Sequence, residues 1–481
     1  MTDLAAALGS RTRLMNSLKS IALTLAAALP MASAGAEGAT SDGETGGPCI
    51  EHILVTGQSL AAGQGPVLTE TPVPGAFMFP AGLFASRIPE TSPLVPLAES
   101  ERESPASGIA SMLVGHRARV RTAAASRSRG RRSRDARVGR LVAPGEQARC
   151  AGSGPSATTR LLTISSRGGT RLAELDRAGG DPFGVYGKAI DQIESASAEA
   201  KRRGTSYALS AVVFIQGEAD RFDATDDYLE RLRGLQDSYE EDSRLVSRRQ
   251  GTLPFITYQT SSTAALGDDY QSHSRVPLYQ LEAQRLDDDI FLAAPTYQLP
   301  YLDSGHPTNE GSRWMGEQLG KVYDLVVNQK VRWAPVMPLR ISQVDDTVHV
   351  EFHVPCPPLV LDSEILPDAG DYGFSLRTAD GERIEIESVR LAGPTAVDVV
   401  AADPVPPGSR LLYAREMSTA LPPFEGGFGN LRDSDANVSP SENPLFNFAV
   451  IFDEKIGFVA PSSSWRSTTL VPLKCGGGRS R

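Results

Sequence analysis

The feature that most constrains this chain is a regular exchange of short apolar runs with charged stretches of helix length. The runs are His52–Thr56, Leu161–Ser165, Ala211–Ile215, Leu253–Tyr258 and Ile290–Ala294. Each has the length of a strand, and most lack the polar alternation of a half-exposed one, so they read as strands covered on both faces. Between them, residues 183–203 carry Val185, Ile190 and Ile193, and residues 223–247 carry Tyr228, Leu232 and Leu235 at helical spacing. After Thr308 and Asn309, a candidate N-cap, Met315, Leu319, Val322 and Val326 repeat along one helix face. Strand and helix alternating in this way predict an α/β domain over residues 48–330, a parallel sheet with helices on both faces. Such sheets collect their sites at the carboxyl ends of the strands.

A chain of 481 residues exceeds what one hydrophobic core usually supports. Past Trp333 the pattern changes. Val348–Val354 alternates strictly, Thr378–Ile386 places an Asp-Gly turn before an alternating strand, and Ala396–Val400 resembles another strand. Residues 335–481 are therefore expected to form a smaller, β-rich, sandwich-like domain. His349, Glu351 and His353 share one face of the first of these strands. Two imidazoles and a carboxylate could bind zinc, but the polar outer face of an antiparallel strand is the simpler account.

Residues 1–34 read as an export signal: Arg11, Arg13 and Lys19, then the apolar Ile21–Leu29, then Ala32-Ser33-Ala34. The apolar run is too short to span a bilayer, and no integral membrane segment is expected in the mature protein. Export implies a secreted or periplasmic location where the 4 cysteines can pair. Of the three connectivities, Cys356–Cys475 is preferred. The formal net charge of -10 argues against nucleic acid as the main partner. The local exception, the arginine-rich segment 117–160, reads as a disordered insertion or out-of-frame coding sequence rather than a basic arm, since runs of like charge are usually solvated.

Several residues at predicted strand ends could carry chemistry. Gly57-Gln58-Ser59-Leu60-Ala61 follows the first strand, where a serine hydroxyl reaches the sheet rim beside free backbone N–H groups. A helix cap is the plainer explanation of that serine. Asp303-Ser304-Gly305-His306-Pro307 follows the last strand, at a spacing that lets one turn bring the carboxylate to the imidazole. Gln216-Gly217-Glu218 ends the third strand, where an amide could donate to an oxyanion. Gly108 opens a predicted helix whose N–H could do the same.

In this order and spacing, Gly57-Gln58-Ser59, Gly108, Gln216-Gly217-Glu218 and Asp303-x-x-His306 resemble the SGNH hydrolases. The branch holding sialate O-acetylesterases and acetylxylan esterases is the most similar, because Gln216 stands where other members have Asn, and Arg167-Gly168-Gly169-Thr170 resembles its Gly-Gly-Thr turn. The resemblance covers about residues 50–328. It implies a three-layer, flavodoxin-like fold and a carbohydrate esterase acting through an acyl-serine, with no metal or organic cofactor. The implied roles are Ser59 as nucleophile, His306 as base, Asp303 as its orienter, an oxyanion hole of Ser59 N–H, Gly108 and Gln216, and Gln58, Glu218 and Gly169 in support. The implied partner is an acetyl ester, small or polysaccharide. Gly-Gln-Ser-Leu in place of the usual Gly-Gln-Ser-Asn and the 117–160 insertion depart from the pattern. Gly429-Asn430-Leu431-Arg432-Asp433-Ser434 also looks like a tail motif of such esterases.

Two alternatives remain open. The serine could belong to an α/β-hydrolase elbow, although that fold lays down several strands before its nucleophile. The chain could also be a non-catalytic carbohydrate-binding or cell-surface protein on a damaged esterase scaffold.

Overall fold

The computed structural model describes residues 48–461 and 475, apart from 90–91, 115–157, 178, 222–225, 248–250, 263–273, 417 and 419. The expected signal and most of the arginine-rich segment lie outside these residues. The described residues all belong to one compact unit.

In chain order the first part contains β1 (Cys49–Gly57), α1 (Ser59–Ala62), β2 (Val73–Met78) and β3 (Val95–Leu97). It continues with α2 (residues 105–114), β4 (Thr158–Ser166), α3 (Val185–Arg202), β5 (Ser206–Ile215) and α4 (Tyr228–Ser247). β6 (Phe255–Gln259), α5 (Val276–Leu286), β7 (Ile290–Pro295) and α6 (Asn309–Tyr323) complete it. The 7-stranded sheet runs β3-β2-β4-β1-β5-β6-β7, parallel except for β3. Its stretch β4-β1-β5-β6-β7 has the order of a flavodoxin-like sheet, whose switch point lies beside the first strand.

The period-two geometry of a strand sorts the apolar runs onto two faces. Leu54, Val212 and Phe214 pack with Ile193 of α3 and Leu232 of α4. Ile53, Val55, Val213 and Ile215 pack with Ile109 of α2 and Met315 and Leu319 of α6. Thr308 caps α6 as expected, its side chain accepting from Gly311 N.

Three features depart from the sequence reading. Thr158–Arg160, assigned above to the arginine-rich segment, belong to β4, and buried Arg160 pairs with Glu51 at 3.0 Å. The edge strand β2 has no clear signal in the sequence because Pro74 and Gly75 interrupt it. Helix α5 is hidden in the sequence because it buries residues around most of its circumference, from Val276 and Pro277 to Gln284 and Arg285.

The remainder is β-rich: β8 (Met337–Val344), β9 (Thr347–His353), β10 (Val360–Leu361), β11 (Phe374–Arg377), β12 (Arg383–Ile384), β13 (Ile386–Gly393), β14 (Ala396–Ala401), β15 (Arg410–Tyr413), β16 (Leu431–Arg432) and β17 (Phe452–Lys455). These form antiparallel sheets ordered β12-β11-β15-β17 and β13-β14-β9-β8, with β10-β16 as a small pair. Val348, Val350 and Phe352 of β9 face inward, and Phe352 meets Phe452 of the other sheet with ring centres 6.1 Å apart. One core cluster contains both Phe352 and Met315, so the α/β and β-rich parts share buried surface. Asn430 and Asp433 of the tail motif serve that architecture: Asn430 donates to Asp362 O and Pro367 O, and Asp433 accepts from Asn447 and from Cys356 N. Cys356 and Cys475 form a disulfide.

Candidate active site

The site begins with a backbone constraint. Gly57 ends β1 with φ +140°, and a Cβ there would lie 2.0 Å from Ile215 O on neighbouring β5. Glycine permits this approach, and Gln58 N then donates to Ile215 O at 3.0 Å. The chain turns off the sheet, and Ser59 becomes the first residue of α1, where a backbone N–H has no intrahelical acceptor.

The buried Gln58 side chain is held at both ends by the loop after β5. Its Oε1 accepts from Ala219 N at 3.1 Å, and its Nε2 donates to Glu218 Oε2 at 2.8 Å. The Tyr258 hydroxyl donates to the same carboxylate oxygen. Burial pushes Glu218 up to about 7, against the opposing pull of Tyr258, a backbone N–H, Arg221 and His306.

The Asp303–His306 loop is closed by its own backbone: Leu302 N donates to His306 O at 2.8 Å and Thr308 N to Pro300 O at 2.9 Å. Asp303 Oδ1 accepts from Gly305 N and His306 N, each at 2.8 Å, the local turn that aspartate favours. This fold-back sets the His306 Nδ1 edge 2.9 Å from Asp303 Oδ2 and 3.0 Å from Oδ1. His306 Nε2 lies 2.9 Å from Ser59 Oγ. Burial raises the Asp303 carboxyl, but the Gly305 and His306 N–H groups and the imidazole outweigh it and hold it below the ordinary carboxylate value. Ser59 Oγ, the imidazole and the carboxylate thus form a continuous chain at the carboxyl ends of β1 and β7.

The turn after β4 also reaches this point. Arg167 N donates to Gly57 O at 3.2 Å, Thr170 Oγ1 donates to Arg167 O at 2.8 Å, and a Cβ on Gly168 would lie 3.7 Å from Ser59 Cβ. Gly169 follows in the turn with φ +70°. Gly168 carries no role in the sequence reading, although the Gly-Gly-Thr resemblance is its signal.

Gln216 and Gly108 are used differently from the expectation. The Gln216 side chain is fully buried: Nε2 donates to Thr170 O at 3.3 Å and to the Asp220 carboxylate, and Oε1 accepts from Tyr228 at 3.0 Å. Its amide hydrogens are thus spent on the scaffold beneath the site. Gly108 lies within α2, not free at its start, and its hypothetical Cβ would meet Arg313 O of α6 at 2.2 Å. The missing side chain serves close packing of the two helices.

Further supports had no signal in the sequence, because each joins distant segments. Arg221 Nη1 donates to Ser262 Oγ at 2.6 Å, which donates to Ser304 O at 2.9 Å. From the β-rich part, Glu425 N donates to Ser304 O at 3.4 Å, and Phe424 packs on Tyr301 with ring centres 4.5 Å apart. Buried Glu103 binds Thr69 Oγ1 at 2.7 Å and Arg313 Nε at 2.9 Å, tying the loop after α1 to α6. Among the described residues no group of three His, Cys, Asp or Glu is arranged to hold a metal. His349 pairs with Asp398 at 2.7 Å. No described helix is long and apolar enough to cross a membrane.

No family model and no curated protein matches the sequence. Several solved structures are similar in fold. A carbohydrate acetylesterase from Xanthomonas citri is 13% identical, with 84% of this chain and 80% of that one covered and a TM-score of 0.48. A protein from Arabidopsis thaliana is 18% identical over 57% of this chain and 98% of its own, with a TM-score of 0.36. NanS is 12% identical over 59% of this chain and 99% of its own, also with a TM-score of 0.36.

Proposed function

We propose that the chain is a serine esterase that hydrolyses acetyl or other short acyl esters, on carbohydrate, through an acyl-serine intermediate. The observation that carries this is the chain of contacts from Ser59 Oγ to His306 Nε2 at 2.9 Å and from His306 Nδ1 to Asp303 at 2.9 Å. A nucleophile, a base within hydrogen-bond reach and a carboxylate that orients the base are what acyl transfer requires. Ser59 Oγ attacks the ester carbonyl while His306 takes its proton. The charge on the carbonyl oxygen falls to the Ser59 N–H and the adjoining Gly168-Gly169 turn. His306 then gives the proton to the departing alcohol, and water releases the acid by the same steps in reverse.

The carbohydrate comes from the motif resemblance. Export of the protein is part of the same reading, supported by the Cys356–Cys475 disulfide, which persists in an oxidising compartment. The test is hydrolysis of p-nitrophenyl acetate and of an acetylated polysaccharide by the wild type and by Ser59→Ala. Turnover lost with Ser59 is expected. Absence of turnover in a folded wild type would favour a non-catalytic scaffold, and turnover indifferent to Ser59 would remove the triad.

A further inference from the structure

The turn that carries Asp303 and His306 stands out into solvent. The Asp303 side chain is 52% exposed and that of His306 34%, so burial does little to hold the turn in place. Its internal bonds, from Gly305 N and His306 N to Asp303 Oδ1, fix the carboxylate against the imidazole. They do not fix the distance to Ser59, which stands on a separate element, α1. That distance needs contacts that reach the turn from outside.

Two residues supply them at the middle of the turn. Ser262, fully buried after β6, donates through Oγ to Ser304 O at 2.9 Å. Arg221, which follows β5, donates through Nη1 to that same Oγ at 2.6 Å. A guanidinium can only donate, and a serine hydroxyl has one hydrogen. Arg221 therefore occupies the acceptor side of the hydroxyl and leaves its hydrogen for Ser304 O, and the charged first donor strengthens the second bond. Gly305 fits the same arrangement. Its φ lies outside the left-handed region, yet a Cβ on it would lie 2.9 Å from Arg221 Nη1 and 3.3 Å from Ser262 Oγ. The guanidinium is thus packed against the backbone of the turn, while Glu425 N on the other side is a longer donor to Ser304 O at 3.4 Å.

We propose that Arg221 and Ser262 are positioning residues that set the reach of His306 Nε2 to Ser59 Oγ, acting on the Ser304–Gly305 backbone and leaving the Asp303–His306 pair as it is. This rests on the esterase reading above. The Asp303–His306 contact is made within one turn of chain, so it survives when the turn shifts as a body. The 2.9 Å from His306 Nε2 to Ser59 Oγ spans two elements and does not survive such a shift. Two properties of one histidine are thereby separated: its ionisation belongs to the turn, and its reach belongs to Arg221 and Ser262.

The test compares full-length wild type and Ser262→Ala on p-nitrophenyl acetate across the pH range in which histidine titrates. Loss of the one hydrogen bond is expected to lower kcat/KM about tenfold at every pH. The loss should fall on kcat with KM nearly unchanged, and the histidine limb of the profile should stay at its wild-type pH. Asp303→Asn, by contrast, should move that limb. Gly305→Ala alone should also cost about tenfold, because its methyl meets the guanidinium. Combined with Arg221→Ala, which removes that obstacle, it should be no worse than Arg221→Ala alone, whereas independent losses would multiply to about a hundredfold. Hydrogen exchange reads the same arrangement without turnover: a peptide spanning residues 299–309 should exchange faster in Ser262→Ala than in wild type. Given Ser59-dependent turnover in wild type, an unchanged kcat in Ser262→Ala, a shifted histidine limb, multiplying losses in the double variant or unchanged exchange would each overturn the proposal while the esterase reading stands. If wild type shows no Ser59-dependent turnover, the esterase reading fails and takes the positioning role with it.

Discussion

Substituting Gly57 by alanine is the sharpest test of how the backbone places the nucleophile. The added methyl would sit 2.0 Å from Ile215 O, whereas an ordinary contact needs roughly 3.5 Å. Either β1 and β5 part by about 1.5 Å at their carboxyl ends, a figure set by that contact distance, or the residue leaves φ +140°. Both routes disturb the bond from Gln58 N to Ile215 O and shift Ser59 relative to His306. A displacement of about 1 Å near reacting atoms costs on the order of a hundredfold in rate, and the backbone strain costs about 1–3 kcal/mol of stability. The expected outcome is a folded Gly57→Ala protein whose kcat on p-nitrophenyl acetate falls about a hundredfold, with a Tm several degrees lower. Gly234→Ala is the control, because Gly234 sits in α4 with nothing within 4 Å of its Cβ position; it should keep full activity. A Gly57→Ala enzyme with wild-type kcat would refute the claim that this close approach positions Ser59.

Gln216→Ala should lower Tm, by about 1–3 kcal/mol of stability, because the Asp220 carboxylate and Tyr228 lose a buried partner; a mutant that melts like wild type would remove Gln216 from the scaffold. Asp303→Asn should lower kcat by at least about a hundredfold, with a smaller change in KM, since the imidazole loses the carboxylate that orients it. Glu218 also makes stability depend on pH. Its folded value of about 7 lies above an unfolded value near 4.3, so the native state binds more protons between the two and stability falls as the pH rises through that window. Glu218→Gln should therefore be stabilised relative to wild type at pH 8 by about 3 kcal/mol, and much less at pH 4.5, as urea titrations at both pH values would measure. Cys356→Ser opens a loop of sequence separation 119 and should lower the urea midpoint, by about 4–5 kcal/mol in loop-closure terms.

Local chemistry made much of this protein legible before folding. The apolar runs at β1, β4, β5, β6 and β7 announce buried parallel strands because a strand covered on both faces has no polar side to show. Thr308 announces the start of α6, and Asp303 with His306 forms its contact within one turn of chain. The position of Ser59 after β1 follows from the same alternation. Only the tertiary structure decided what distant segments do to one another. Gln216 was visible as an amide at a strand end, but whether it faced a substrate or Asp220 depended on where α4 and the turn after β4 packed. Gly108 was visible as a glycine, but its use was set by the nearness of α6. Gly168 and the brace from Phe424 and Glu425 became site features only when chain segments far apart in sequence met at one sheet edge, and Glu218, legible in the sequence as a support, was buried there. The physical reason is that periodicity and turn preference act over a few residues, whereas burial, which raised Glu218 and engaged Gln216, is a property of the assembled core.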